Sequence, residues 1–183
     1  SYVTFITADH GNLEVLFTED GSPHVSHTSN LVRFMMIDEG EGKNSRLADG
    51  LLSDIAPTIL AVLGMQPNPA MTGSNLIQNY SMVEHRKVLL VILDGWGLGV
   101  QDDSNPIFIA NTPVWDALLQ NVPGCDLKAS GEAVGLKAGK PGNSEAGHIN
   151  IGAGRIVLQD DVRLDNAMKD GTFYTNEILC KAI

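Results

Sequence analysis

Two apolar runs that each stop at an aspartate frame this chain: Tyr2-Val-Thr-Phe-Ile-Thr-Ala-Asp9-His10-Gly11 and Val88-Leu-Leu-Val-Ile-Leu-Asp94-Gly95. Short apolar runs bounded by turn residues read as buried strands. The second is apolar throughout, as in a parallel sheet covered on both faces. Function in open α/β sheets gathers at the carboxyl ends of the strands, and each aspartate stands at one. A carboxylate there is desolvated on one side, which is costly unless it is paired or metal-bound. The runs therefore predict an α/β fold whose chemistry sits where two strands end.

The rest of the pattern fits that frame. Strands are expected at 2–7, 31–37 and 87–93, with a weaker one at 126–130. Ser53-Asp-Ile-Ala-Pro57-Thr-Ile-Leu-Ala-Val-Leu-Gly64 reads as a helix capped by Ser53 and ended by Gly64. Thr112-Pro113 opens another, through Gln120. A helix is expected to start at Ser144 or Glu145, and residues 160–169 read as helical. Strands alternating with helices predict a three-layer α/β domain, a mainly parallel sheet flanked by helices. Residues 65–81 read as loop. Gln78–Ser81 resembles a fraying C-terminus and Met82–Lys87 a fresh N-terminus.

At 183 residues and 43% apolar composition the chain can bury a real core. A net charge of −10 argues against nucleic acid or an anionic membrane as partner. With no signal pattern and no apolar run near 18 residues, the chain is expected to be soluble and cytoplasmic. Cys125 and Cys180 form no metal or redox motif and read as two reduced structural thiols. The start at Ser1, directly in a strand, suggests a fragment.

Ser144 lies in Gly139-Lys-Pro-Gly-Asn-Ser144-Glu-Ala-Gly-His148, a glycine-rich turn before a helix. A serine hydroxyl needs a base or a metal to become a nucleophile. The spacing is not that of a Gly-x-Ser-x-Gly elbow, so a metal-activated serine fits better than a triad. Imidazoles beside carboxylates suit Mn²⁺, Zn²⁺ or Fe²⁺ better than Mg²⁺, and His10, His24, His27 and His148 supply them. His148 reads as support for the loop and His85 as solvated. Two metals would lower the hydroxyl pKa and clamp an in-line displacement. N–H groups at the helix start would receive phosphate oxygens. Phosphoryl transfer needs mainly positioning and neutralisation, which this set supplies. A P-loop is excluded, since Gly139-Lys140 is followed by proline. Gly95-Trp-Gly97-Leu-Gly99 lacks the third glycine of a dinucleotide turn.

Val88–Gly99, Asn105–Pro113, Gly139–Gly154 and Arg163-Leu-Asp-Asn-Ala resemble the N-terminal part of the cofactor-independent (2,3-bisphosphoglycerate-independent) phosphoglycerate mutases. That family is a branch of the alkaline phosphatase superfamily. Thr7-Ala-Asp9-His10-Gly-Asn, Pro23-His24-Val-Ser-His27-Thr28, Asp54-Ile-Ala-Pro-Thr58 and Met71-Thr-Gly-Ser-Asn-Leu-Ile77 resemble its C-terminal part. The resemblance implies 2-/3-phosphoglycerate interconversion through a phosphoserine at Ser144. It also implies two divalent ions, Mn²⁺, with Asp94, Ser144, Asp9 and His10 on the first and His27 on the second.

Two departures go with it. Residues 1–81 resemble the C-terminal segment and 82–183 the N-terminal one, so the order is permuted near Ser81–Met82. One domain can still result if the natural termini lie close together. The family's middle, including its transferase domain and the other second-metal ligands, has no counterpart, so the second site is expected to be underfilled. The alternatives are a related metal-dependent phosphatase, or an inert metal-binding fragment that needs a complementary chain or self-association.

Overall fold

The computed structural model describes residues 2–18, 20–40, 45–79 and 86–182. The elements, in chain order, are β1 (Tyr2–Ala8), β2 (Val32–Ile37), β3 (Arg46–Leu47), β4 (Gly50–Leu51), α1 (Ile55–Val62), β5 (Ile77–Gln78), β6 (Lys87–Leu93), α2 (Pro106–Ile109), α3 (Pro113–Asn121), β7 (Gly124–Lys128), α4 (Ser144–Ala153), α5 (Asp160–Asp170) and α6 (Glu177–Ala182). Short 3₁₀ turns cover Leu52–Asp54 and Gly131–Val134. The Ser81–Met82 junction and His85 lie outside the described residues.

Five strands make the main sheet, in the order β4-β7-β2-β1-β6. β4 is parallel to β7 and β1 to β6, while β2 is antiparallel to both its neighbours. Four strands thus run one way and β2 alone opposes them. The fold is the expected α/β class, a mostly parallel sheet flanked by helices. Both halves of the chain build it: β7 lies between β4 and β2, and β6 pairs along all seven residues of β1.

The strand period of two decides which side chains form the core. Val3 and Phe5 of β1 share a face with Val32, Phe34 and Met36 of β2 and with Cys125 and Leu127 of β7, all buried. Phe5 and Phe34 stack with ring centroids 5.2 Å apart. Leu52, Ile55 and Val62 from the first 3₁₀ turn and α1, and Ala146 and Ile151 from α4, complete this cluster. Val88, Leu90 and Ile92 of β6 pack against it, opposite Val3, Phe5 and Thr7.

Three local expectations shift. β6 is parallel as read, but it is an edge strand with Leu89 49% exposed, not one covered on both faces. The last strand spans 124–128, because its register is set by pairing with β2. Ser53 is inside a 3₁₀ turn, and Asp54 takes the N-cap position of α1. The Asp54 carboxylate accepts from Leu51 N–H and Ser74 N–H, tying two loops to the helix start. The two-residue strands β3, β4 and β5 and the short helices α2 and α6 carry too few residues for a periodic signal.

Candidate active site

The parallel register of β1 and β6 builds the site. Ala8 stands opposite Leu93, so Asp9 and Asp94 leave the sheet side by side at the same edge. Asp9 is fully buried, whereas the Asp94 side chain is 79% exposed. Asp9 Oδ1 accepts from the N–H of His10 at 3.0 Å and of Gly95 at 3.2 Å. Gly95 has φ +68°, a left-handed turn that a side chain would disfavour, and it lets the backbone after Asp94 fold over Asp9.

Helix α4 delivers the serine. Asn143 caps it through Ala146 N–H at 2.8 Å. The first turn approaches β1 so closely that a Cβ on Gly147 would lie 2.4 Å from the Asp9 carbonyl oxygen. That approach places Ser144 Oγ 3.0 Å from His10 Nε2 and 3.3 Å from Asp94 Oδ1. His10 Nε2 is also 3.1 Å from Asp94 Oδ1 and 3.7 Å from Asp9 Oδ2.

Backbone carbonyls orient three histidines. Nδ1 faces the Gly11 carbonyl at 3.1 Å in His10, the Gly142 carbonyl at 2.9 Å in His27 and the Ser144 carbonyl at 2.9 Å in His148. A carbonyl only accepts, so each Nδ1 carries the hydrogen, which leaves Nε2 of the neutral ring as a lone pair. In His10 that lone pair faces a hydroxyl and two carboxylates.

This arrangement fits a cation. Ligand atoms of Asp9, His10 and Asp94 lie within 4.8 Å of one another, and buried Asp9 Oδ2 accepts no hydrogen bond among the described residues, with only imidazole nitrogens of His148 at 3.2 Å and His10 at 3.7 Å beside it. A buried carboxylate oxygen that accepts no hydrogen bond is costly. Metal-binding imidazoles commonly have the other ring nitrogen fixed by a carbonyl. Carboxylate, imidazole and hydroxyl form a mixed N/O donor set suited to a divalent transition metal.

Of the residues singled out from sequence, Asp9, His10, Asp94 and Ser144 converge. His27 stands beside them, its ring 4.1 Å from that of His10, but it is not one of the three residues whose ligand atoms cluster. His148 packs by the serine, with Nδ1 3.2 Å from Asp9 Oδ2 as well. His24 is held elsewhere, its N–H on the Leu16 carbonyl and its ring near Ser26. Sequence reasoning passed over Glu14, which is buried among four hydrogen-bond donors from three loops. Its signal was faint: a glutamate four residues after His10, inside an otherwise apolar stretch.

A mostly parallel α/β sheet with aspartates at adjacent strand ends, an oriented histidine and a capped helix-start serine defines a metal-dependent enzyme domain. The chain belongs to the metalloenzyme superfamily, whose family model matches residues 1–67 and 86–176. Among curated proteins it is similar to the 2,3-bisphosphoglycerate-independent phosphoglycerate mutase of Shewanella amazonensis, at 51% identity over 102 residues, 56% of this chain and 20% of that one. The protein of that name from Bacteroides thetaiotaomicron is 52% identical over 97 residues, 53% of this chain and 19% of the relative. From Methanosarcina acetivorans, 2,3-bisphosphoglycerate-independent phosphoglycerate mutase 2 is 49% identical over 98 residues, covering 54% and 19%. The chain thus spans about a fifth of the length of the curated relatives it matches. No solved structure matches it.

Proposed function

We propose that this chain carries the metal-and-nucleophile part of a 2,3-bisphosphoglycerate-independent phosphoglycerate mutase. The observation that carries the reading is the convergence on Ser144: His10 Nε2 at 3.0 Å, Asp94 Oδ1 at 3.3 Å and, behind them, Asp9 Oδ2, which accepts no hydrogen bond among the described residues. The mutases named above support the substrate, phosphoglycerate. Asp9, His10, Asp94 and Ser144 would hold one divalent ion, Mn²⁺. His27 would help hold a second, whose set is underfilled because no further group of three acidic, histidine or cysteine ligands clusters among the described residues.

A bound divalent ion would favour the Ser144 alkoxide and neutralise phosphate charge. The protein's own groups do the positioning. Ser144 Oγ, having given up its proton, attacks phosphorus in line with the ester oxygen; the Oγ–P bond forms as the ester P–O bond breaks, and the glycerate oxygen leaves with the bonding pair and takes up a proton, giving phosphoserine and glycerate. The N–H groups of Ser144 and Glu145, in the first turn of α4, have no partner within the helix and would be available to phosphate oxygens. Return of the phosphoryl group to the other glycerate hydroxyl completes the isomerisation.

The permuted order is part of this reading, with 1–81 as the family's C-terminal segment and 82–183 as its N-terminal one. Support comes from the β1–β6 pairing, which joins the two segments at the site. No helix among the described residues is long and apolar enough to cross a membrane. A cytoplasmic location and the absence of nucleic-acid partners go with the reading.

One observation favours a second outcome. Asp94 beside the serine is 79% exposed, so water reaches the phosphoserine and hydrolysis competes with return to glycerate. The test is a Mn²⁺-supplemented assay with 3-phosphoglycerate, following 2-phosphoglycerate and free phosphate together. Isomerisation lost in Ser144→Ala supports the mutase, and serine-dependent phosphate release alone supports the phosphatase. Turnover unchanged in Ser144→Ala overturns the nucleophile assignment.

A further inference from the structure

We propose that Glu14 is the positioning residue of the metal centre. One buried carboxylate sets the spacing of the three loops that carry Asp9, His10, His27 and Asp94. This inference rests on the metal reading of that site.

The Glu14 side chain is 1% exposed and lies where those loops meet. Its Oε2 accepts from Asn12 N–H at 2.8 Å and from Gly97 N–H at 3.0 Å. Its Oε1 accepts from the Thr28 hydroxyl and from the Asn30 side-chain amide, the latter at 2.9 Å. Asn12 is two residues past His10, Thr28 is next to His27, and Gly97 is three past Asp94. The three loops that bring Asp9, His10, His27 and Asp94 therefore meet on the same carboxylate; the turn that carries Ser144 does not.

Three features separate this group from an ordinary buried polar side chain. All four partners are neutral donors, and no basic side chain pairs with it among the described residues. The four donors match the acceptor positions of the two carboxylate oxygens; a glutamine would turn an N–H₂ group toward two of the donors. The packing leaves no slack. A Cβ on Gly97 would lie 2.4 Å from Glu14 Cδ, and one on Gly11 would lie 2.2 Å from Thr28 Oγ1 and 2.5 Å from Glu14 Oε1. The glycines thus let the backbone close onto this carboxylate from two sides.

Outer groups that orient metal ligands commonly change metal affinity by about 10–100-fold when removed. Glu14 acts at one further remove, through the backbone of the ligand loops. It touches neither substrate nor reacting atoms, so its effect belongs in affinity for the ion.

The experiment is Mn²⁺ binding to the full chain, followed by electron paramagnetic resonance of the free ion. Far-UV circular dichroism and the thermal midpoint of the metal-free protein are measured in parallel. Glu14→Gln is expected to weaken Mn²⁺ binding about tenfold or more while the chain remains folded. Thr28→Val, which removes one donor, is expected to weaken it several-fold, and Thr28→Ser, which keeps the hydroxyl, to restore it. A purely structural glutamate would lower the midpoint and leave the affinity of the folded molecules unchanged. Equal affinity in folded Glu14→Gln and the unaltered chain overturns the proposal. If Glu14→Gln does not fold, equal affinity of Thr28→Val and Thr28→Ser overturns it. Failure of the unaltered chain to bind Mn²⁺ overturns the metal reading itself, a result distinct from binding that the variants do not change.

Discussion

Single residues in this chain are decided by where their polar atoms end up. Asp9 and Asp94 look alike in sequence, each following an apolar run, yet one is buried and the other open to solvent. The two cysteines diverge in the same way. Burial, with the nearby Asp49 charge adding to it, pushes the Cys125 thiol up to about 12, whereas Cys180 is exposed. At pH 8 the buried thiol is ionised in only about one molecule in ten thousand, and only the thiolate is reactive. Native protein is expected to react with a thiol reagent at Cys180 alone, and urea-unfolded protein at both, read by mass spectrometry. The linkage runs downward with pH: the unfolded thiol ionises near 9 and the folded one near 12. Stability present below pH 9 is therefore lost progressively between those values, and a Cys125→Ala protein lacks that part of the alkaline decline.

At the scale of elements, α4 matters most. Ten residues cannot hold a helix by propensity alone, and with two glycines, Gly147 and Gly152, inside it its intrinsic tendency is low. It is held by its ends and its packing. Asn143 caps the first turn, and Asn150 donates from inside the helix to the Val134 and Ala146 carbonyls while its Oδ1 accepts from Val157 N–H. Gly147 lets the first turn meet the end of β1. Asn143→Ala is expected to cost about 1 kcal/mol of stability, measured by urea unfolding. Activity is expected to fall further than that loss of folded protein accounts for, since the cap also holds Ser144 in place. The helix was legible from its glycine-rich start; its role as the arm that brings serine to aspartate was not, because that depends on a contact with β1 more than a hundred residues away in sequence.

Across the whole molecule, the two halves share one sheet and one core. Phe5 from the first half stacks on Phe34 and faces Leu90 from the second. Arg86, just before β6, forms a buried ion pair with Asp38 at the end of β2. Such sharing predicts one cooperative unfolding transition. Phe5→Ala is expected to cost about 3–5 kcal/mol and to shift the near-UV and far-UV signals together, checked by two-probe thermal unfolding. Two separate transitions would show that the halves fold independently. β6 bears the cost of its position: an apolar edge strand with no partner on one side among the described residues is prone to association.

By itself the sequence determined the chemistry available. Apolar runs ending in Asp9 and Asp94, the glycine-rich turn at Ser144 and the histidine at position 10 are local patterns, and local patterns survive in one dimension. They were enough for the α/β class, the major strands and helices, and the four residues that converge. Tertiary structure decided everything that depends on register and distance. It put Asp9 beside Asp94 through the parallel pairing of β1 with β6, left β6 on an edge, and kept His24 away while seating His27 against His10. It also gathered three loops onto Glu14. A hydrogen bond between segments distant in sequence leaves no periodic trace along the chain, so the groups that hold the site together were the ones the sequence could not reveal.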